Sequence, residues 1–168
     1  RGDGVTREGS LNVGLPFGAE GFLNFTGLVR DHGFSNAGGP DQRVERAIAS
    51  GAHPEWRQLA DYPLVNKEFG DARYRTYLGT LNGELPVEGI GAFYFFGTGA
   101  AKRAGGWANF RLPTKLPALY PVGFTPIDWV DSRDTTLTAG LRADWAAWAL
   151  DFSVTRGSNL NRVEVTGG

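Results

Sequence analysis

The sequence contains neither cysteine nor methionine. The absence of cysteine excludes a disulfide framework, a thiolate metal site and a cysteine nucleophile. Because no methionine stands even at position 1, we expect these 168 residues to be a mature piece or a part of a longer product.

Long apolar runs and an excess of one charge are also absent. The longest apolar runs are Ala92–Phe96 and Trp145–Leu150, whereas a membrane-spanning helix needs about 20 residues. The chain has 17 basic and 18 acidic residues without a block of one sign, which argues against a nucleic-acid partner. Any membrane role must therefore depend on strands.

No catalytic or metal-binding pattern is present either. The sequence lacks the G-x-S-x-G motif of a nucleophile elbow and the G-K-[ST] order of a phosphate-binding loop. The two histidines, His32 and His53, have no second ligand at a metal-like spacing. We expect no enzymatic activity, no metal site and no cofactor.

What the sequence does contain is glycine, with 25 residues, and a two-residue alternation of apolar and polar side chains. Leu23, Phe25 and Val29 fall on one face of a predicted strand, and Asn24 and Thr26 fall on the other. Similar segments predict three hairpins and the start of a seventh strand at Arg162. The predicted strands are Glu8–Leu15, a strand within Leu15–Gly33, Ala72–Gly83, Ile90–Gly99, Thr135–Arg142 and Trp148–Arg156.

The connections between these strands alternate in length. Short turns close each hairpin, whereas loops of about 40 and about 30 residues, at 32–71 and 101–133, join the hairpins. Within the first loop, Asp41–Gly51 predicts a short helix. Outer-membrane barrels have short periplasmic turns, long extracellular loops and strands of about 9 to 11 residues. The pattern favours an all-β, antiparallel transmembrane β-barrel segment of six to seven strands.

Aromatic residues beside the short turns agree with this prediction, because aromatic girdles mark membrane interfaces. They are Phe17, Phe22, Trp145 and Trp148. Two alternatives remain open, a soluble β-barrel that binds a small ligand inside and an outer-membrane barrel or adhesin without transport. Leu28 is an apolar residue on the polar parity that the alternation does not explain.

Several motifs in fixed order resemble the barrel of TonB-dependent outer-membrane receptors. The run Gly2–Asp41 carries most of the likeness, and shorter matches follow along the chain. The matching stretches are Val13–Asp31, Asn36–Asp41, Phe69–Ala72, Tyr120–Ile127 and Leu137–Arg142. The N-terminal plug and the TonB-contacting segment of that family are not found in these residues. Residues 1–168 are thus expected to be a partial barrel.

The resemblance implies a place in the outer membrane of a Gram-negative bacterium and a part in TonB-dependent uptake of a scarce nutrient, such as a metal chelate, vitamin or glycan. The implied partners are outer-membrane lipid and lipopolysaccharide, the remainder of the receptor with its plug, the TonB complex reached through that plug, and the nutrient. The chain would supply barrel wall and outer loops.

Aromatic and basic residues in the predicted long loops are the candidate ligand contacts. Flat rings stack on sugars or chelator rings with little loss of rotamer entropy, and a guanidinium meets an anionic ligand. Packing within the loops and anchoring at lipid headgroups are the alternatives. The candidates are Trp56, Tyr62, Trp107, Phe110, Arg111, Tyr120 and Trp129.

Overall fold

The computed structural model describes residues 3–59, 61–66 and 68–167. Within them, six antiparallel strands form one sheet in chain order, which confirms the all-β prediction. Gly2, at the start of the run that carries the family resemblance, lies outside the described residues. The strands are β1 (Thr6–Phe17), β2 (Gly21–His32), β3 (Arg73–Val87), β4 (Gly91–Trp107), β5 (Ile127–Trp145) and β6 (Trp148–Thr166).

The sheet is open within the described residues. β1 pairs only with β2, and β6 pairs only with β5, so these two strands are its edges. The three predicted hairpins are confirmed. The predicted seventh strand is wrong, because Arg162 lies within β6, opposite Asp131. The polar run before it continues the strand, since Asn159 and Asn161 hydrogen-bond to side chains of β5.

The second long loop is shorter than predicted. β4 extends to Trp107 and β5 begins at Ile127, so the connection covers residues 108–126. Charged residues at the strand ends were interpreted as loop, but they pair across the sheet, as in the 3.5 Å ion pair between Arg103 and Asp131. Cross-strand pairs of opposite charge stabilise such positions.

The first long loop contains the predicted helix, α1 (Gln42–Ala49), followed by a 3₁₀ helix at Pro54–Gln58. Asp41 caps α1, because its carboxylate accepts a hydrogen bond from the backbone N–H of Arg43 at 2.9 Å. Gly51 follows the helix with φ = 75°, a conformation that favours glycine.

The strand register gives the sheet one apolar and one polar face. Residues directly opposite each other share a face, and Phe25 lies opposite both Val13 and Leu81. One residue away, Thr26 lies opposite Asn12 and Thr80. The predicted alternation is therefore confirmed on neighbouring strands, and we refer to these sides as the apolar face and the polar face.

Leu28, which the alternation left unexplained, lies on the polar face opposite Leu78 of β3. Leu78 in turn lies opposite Ala100 of β4. A small apolar cluster across three strands thus accounts for Leu28, because each apolar side chain has an apolar neighbour across the ladder.

The three hairpin turns are staggered. Phe17 pairs with Gly21 at the first turn. Following the register onto β3, Leu85 lies at the same height in the sheet as this pair. The second turn begins at Val87, two residues further along the strand. The third turn, at Trp145 and Trp148, lies two residues beyond Ala143, which faces Gly91. Each hairpin therefore extends two residues beyond its predecessor.

The two long loops share a hydrophobic core, which we call the loop cap. The side chain of Phe110 in the second loop packs with side chains of the first loop. Arg43 of the first loop also donates a hydrogen bond to the carbonyl oxygen of Phe110 at 2.8 Å. No second layer covers either face of the sheet among the described residues. The buried residues of the loop cap are Val44, Ile48, Trp56, Leu59, Val65 and Phe110.

Candidate functional site

The polar face carries side chains that hydrogen-bond to one another across strands. The amide nitrogen of Asn12 donates to the side-chain oxygen of Asn24 at 2.8 Å and to the hydroxyl of Thr26 at 2.6 Å. Further along, the hydroxyls of Thr138 and Thr155 lie 2.8 Å apart. Polar side chains on this face thus form hydrogen bonds to one another across neighbouring strands.

Tyr94 is at the centre of a second polar group. Its hydroxyl donates to Asp151 at 2.7 Å, and the guanidinium of Arg142 lies 4.5 Å from its ring centre. The same guanidinium donates to Glu84 at 3.0 Å. The ring of Tyr94 lies over Gly140, where a Cβ atom would come within 2.4 Å of it. Glycine at position 140 is thus required by this close approach.

The two faces differ in crowding. Tyr94 is 8% exposed and Thr138 is 4% exposed, and both lie on the polar face. Their neighbours on the apolar face, Phe93 and Leu137, are 40% and 54% exposed. At Tyr94 and Thr138 the polar face is therefore the more crowded side of the sheet, whereas Phe96 on the same face is 49% exposed.

The apolar face has a band of uncharged side chains that ends at a row of charged ones. On β3 the band runs from Val87 to Tyr77, and the next residue on this face is Arg75. On β4 it runs from Gly91 to Ala101 and ends at Arg103. Arg156 on the edge strand β6 is a charge within the band, opposite Leu137.

Aromatic residues lie beyond both ends of the band. Trp145 and Trp148 pair with each other at the third turn. At the other end, Trp107 stacks on Phe34 with ring centres 4.6 Å apart. Trp129 lies near the same Phe34, at 6.4 Å.

The seven predicted ligand residues fall into three groups. Trp56 and Phe110 are buried in the loop cap, and Tyr62 packs against it with its hydroxyl 3.4 Å from Glu45. Their burial favours the alternative of loop packing. Arg111 is exposed and Tyr120 is half-buried.

Phe124 connects Arg111 and Tyr120. Arg111 pairs with Phe124 through two backbone hydrogen bonds of 2.7 and 3.1 Å, and the ring of Tyr120 lies 4.2 Å from that of Phe124.

The last two candidates, Trp107 and Trp129, are not loop residues. They lie within β4 and β5, and their placement in the second loop was wrong because both strands are longer than predicted. Sequence reasoning missed Phe34, which joins the two tryptophans. Nothing in the local sequence indicates this contact, since Phe34 follows β2 and reaches β4 and β5 only in the folded chain.

The electrostatics of the loop cap depend on Asp41. Hydrogen bonds from the side chain of Arg43 hold the pKa of the Asp41 carboxyl below its usual value, although burial acts in the opposite direction. The Asp41 carboxylate at the start of α1 is therefore stabilised in its charged form.

Among the described residues, no group of three or more His, Asp or Glu side chains is arranged to hold a metal ion. None of the helices in the described part of the chain is long and apolar enough to cross a membrane.

The described residues form an all-β structure with one antiparallel sheet, apolar on one face and polar on the other. Comparison with protein-family models, curated proteins and solved structures gives no match for the chain.

Proposed function

We propose that the sheet is part of the wall of a transmembrane β-barrel in a bacterial outer membrane, with its apolar face towards lipid and its polar face towards the lumen. The observation that carries this proposal is the contrast between Thr138, buried on the polar face, and Leu137, exposed on the apolar face. A soluble barrel would bury its apolar side chains on the crowded inner face. A membrane barrel has the opposite arrangement.

The height of the apolar band supports this orientation. From Val87 to Tyr77 the strand advances ten residues, or about 34 Å at about 3.4 Å per residue. With a strand tilt of about 35–45°, this corresponds to about 24–28 Å along the membrane normal, close to the roughly 25 Å apolar band of outer-membrane barrels. The flanking tryptophans would then occupy the interfaces.

The open edges of the sheet imply further strands. β1 and β6 have unpaired backbone groups along their outer sides, and each such group costs several kcal/mol in lipid. We therefore infer that other strands pair with both edges. Arg156, the charged residue within the apolar band, lies on the edge strand β6. In this proposal the strand that pairs with β6 lies beside it.

The resemblance to TonB-dependent receptors supports a role in energised uptake of a scarce nutrient, a metal chelate, vitamin or glycan. In this proposal the short turns face the periplasm, the loop cap faces outward, and the plug and the TonB complex act with this wall. Arg111 and Tyr120 are the accessible ligand candidates of the second loop, since Trp56 and Phe110 are buried.

Cysteine labelling tests the orientation. Residues 1–168 contain no cysteine, so each substitution introduces the only thiol of this segment, and any cysteine elsewhere in the full protein is first replaced by serine. We expect Leu81→Cys and Phe25→Cys, in membranes from cells producing the full protein, to resist a membrane-impermeant maleimide until detergent is added. The matched control, Thr80→Cys, lies one residue away on the polar face and should react from a water-filled lumen. Equal labelling at positions 80 and 81 would contradict the proposal.

Uptake assays test the receptor function separately. Cells producing the full protein should accumulate one of a panel of ferric chelates, cobalamins or oligosaccharides, and deletion of TonB should abolish this accumulation. Arg111→Ala should weaken uptake, whereas Arg57→Ala, an exposed arginine of the first loop, should not. Uptake that persists without TonB would refute the receptor class but not the membrane orientation.

A further inference from the structure

A basic pocket lies on the apolar face, at the end of the sheet nearest the long loops. It has a volume of about 680 Å³ and is bordered by Trp129 as well as by charged side chains. Its arginines come from β3, β4, β5 and β6, and the register brings them together from distant parts of the sequence. They are Arg73, Arg75, Arg103, Arg133 and Arg162.

The pocket has more positive than negative charge. Asp31 accepts a hydrogen bond from Arg75 at 2.6 Å, and Arg103 lies between Asp131 and Glu164 at 3.5 and 3.7 Å. The three remaining arginines form no ion pair within the described part of the chain, and all three are exposed. These are Arg73, Arg133 and Arg162. Arg162 lies opposite Asp131, but five arginines against Asp31, Asp131 and Glu164 leave the pocket with an excess of positive charge, and guanidinium groups bind phosphate in bidentate geometry.

An apolar groove continues from this pocket towards the centre of the band. Its volume is about 870 Å³. Its floor includes Gly27, Gly79 and Gly99, which lie opposite one another on three adjacent strands. The groove and the basic pocket share Tyr77, Ala101 and Arg133, so the two depressions are continuous.

The spacing of the two depressions fits an amphiphile. Gly79 and Arg75 are four residues apart on β3, as are Gly99 and Arg103 on β4, which corresponds to about 14 Å along the strand. An anionic group among the arginines would thus be connected to an acyl chain over the glycines.

We propose that the basic pocket and the glycine groove together bind one phosphorylated membrane lipid, with its phosphate at Arg133 and Arg162 and an acyl chain over Gly79. This inference rests on the proposed membrane orientation, which places the apolar face in the bilayer. Charge complementarity selects the phosphate, and the continuity of the two depressions selects a lipid over a free anion, which would leave the groove empty. Basic pockets at a membrane surface bind anionic headgroups in this way.

Lipid retention by the full protein tests the site. The protein is purified from its membrane in a neutral detergent, and bound lipid is measured by native mass spectrometry and by phosphorus content. We expect wild type to retain a phosphorylated lipid and Arg133→Gln and Arg162→Gln each to weaken retention about tenfold, the size of one charge-assisted hydrogen bond. Arg156→Gln is the matched control, because Arg156 lies on the same face of β6 outside the pocket.

A second variant tests the groove. Gly79→Leu should fill it, and no heavy atom lies within 4 Å of a Cβ atom built at Gly79, so the sheet accommodates the change. We expect it to weaken lipid retention while the arginines remain. Gly157→Leu on the polar face is the control.

Three results would overturn the lipid site. They are unchanged retention in Arg133→Gln and Arg162→Gln, full retention in Gly79→Leu, and complete displacement of the bound species by inorganic phosphate alone, which would indicate a free-anion site. Absence of bound lipid from a protein whose Leu81→Cys variant is protected by the membrane would refute this inference alone. Loss of that protection would refute the proposed orientation instead.

Discussion

Arginine substitutions along β3 measure the depth of the apolar band. Leu81 lies on the apolar face between Phe25 and Gly97, six residues from Val87 and four from Tyr77 at the ends of the band. In the proposed orientation, Leu81→Arg should therefore place a charge near the membrane midplane, at a cost of about 2–4 kcal/mol. This corresponds to a decrease of about 30- to 900-fold in the folding equilibrium constant.

The same substitution at the rim should cost much less. Tyr77 lies about 14 Å along the strand from Leu81 and next to Arg75 on the same face, so Tyr77→Arg should cost about 0–1 kcal/mol. Thr80→Arg on the polar face should also cost little, because in the proposed barrel this face is turned towards a lumen that contains water. Urea unfolding of the full protein in lipid vesicles, followed by tryptophan fluorescence, measures these differences.

One further variant separates lipid from a protein core. Lipid accommodates a larger side chain, so Leu81→Trp should leave the stability close to that of wild type, whereas overpacking of a protein core costs about 1–3 kcal/mol. Equal costs for Leu81→Arg and Tyr77→Arg, or strong destabilisation by Leu81→Trp, would show that the apolar face packs against protein and would refute the membrane orientation.

Three other predictions concern the loop cap and the polar face. Phe110→Ala should destabilise the loop cap by about 3 kcal/mol, because it empties a buried position, and limited proteolysis should then cleave the long loops faster while cysteine labelling of the sheet stays unchanged. The pKa of Asp41 is lowered by Arg43. The Asp41 carboxylate therefore stabilises the loop cap fully at pH values above its unfolded pKa of about 3.9. This contribution is lost as the pH falls through the lower pKa of the folded state. Hydrogen exchange of α1 between pH 5 and 2 should show this loss in wild type and not in Asp41→Asn. Tyr94→Phe removes the hydrogen bond to Asp151 and should cost about 1.5–3 kcal/mol in the urea titration, and an unchanged midpoint would contradict this role.

The strands could be predicted where one face is consistently apolar. Leu23, Phe25 and Val29 determine the face of β2 because side chains of a strand alternate between its two sides. The end of β6 could not be predicted in this way, since Asn159 and Asn161 have the composition of a turn. Their backbone pairing with Asp134 and Ser132 of β5, together with their side-chain hydrogen bonds, shows that they continue the ladder.

The site was less predictable than the fold because its contacts join distant parts of the chain. Trp56 and Phe110 both have the aromatic character of ligand residues, yet they pack in one core, and no local pattern indicates that the two loops meet. The arginines of the basic pocket share the parity of the apolar residues on their strands, but only the register aligns Arg75 with Arg103.

The staggered turns determine the slope of the strands. Successive hairpins are two strands apart, about 9.6 Å, and each extends two residues, about 6.8 Å, beyond its predecessor. If all three turns lie at one membrane surface, the ratio of these lengths gives an inclination of about 35°, within the range of membrane barrels. In the proposed barrel, a strand that pairs with β6 and continues this progression by about one residue would keep the same slope, so these three hairpins would give the shear contributed by each strand.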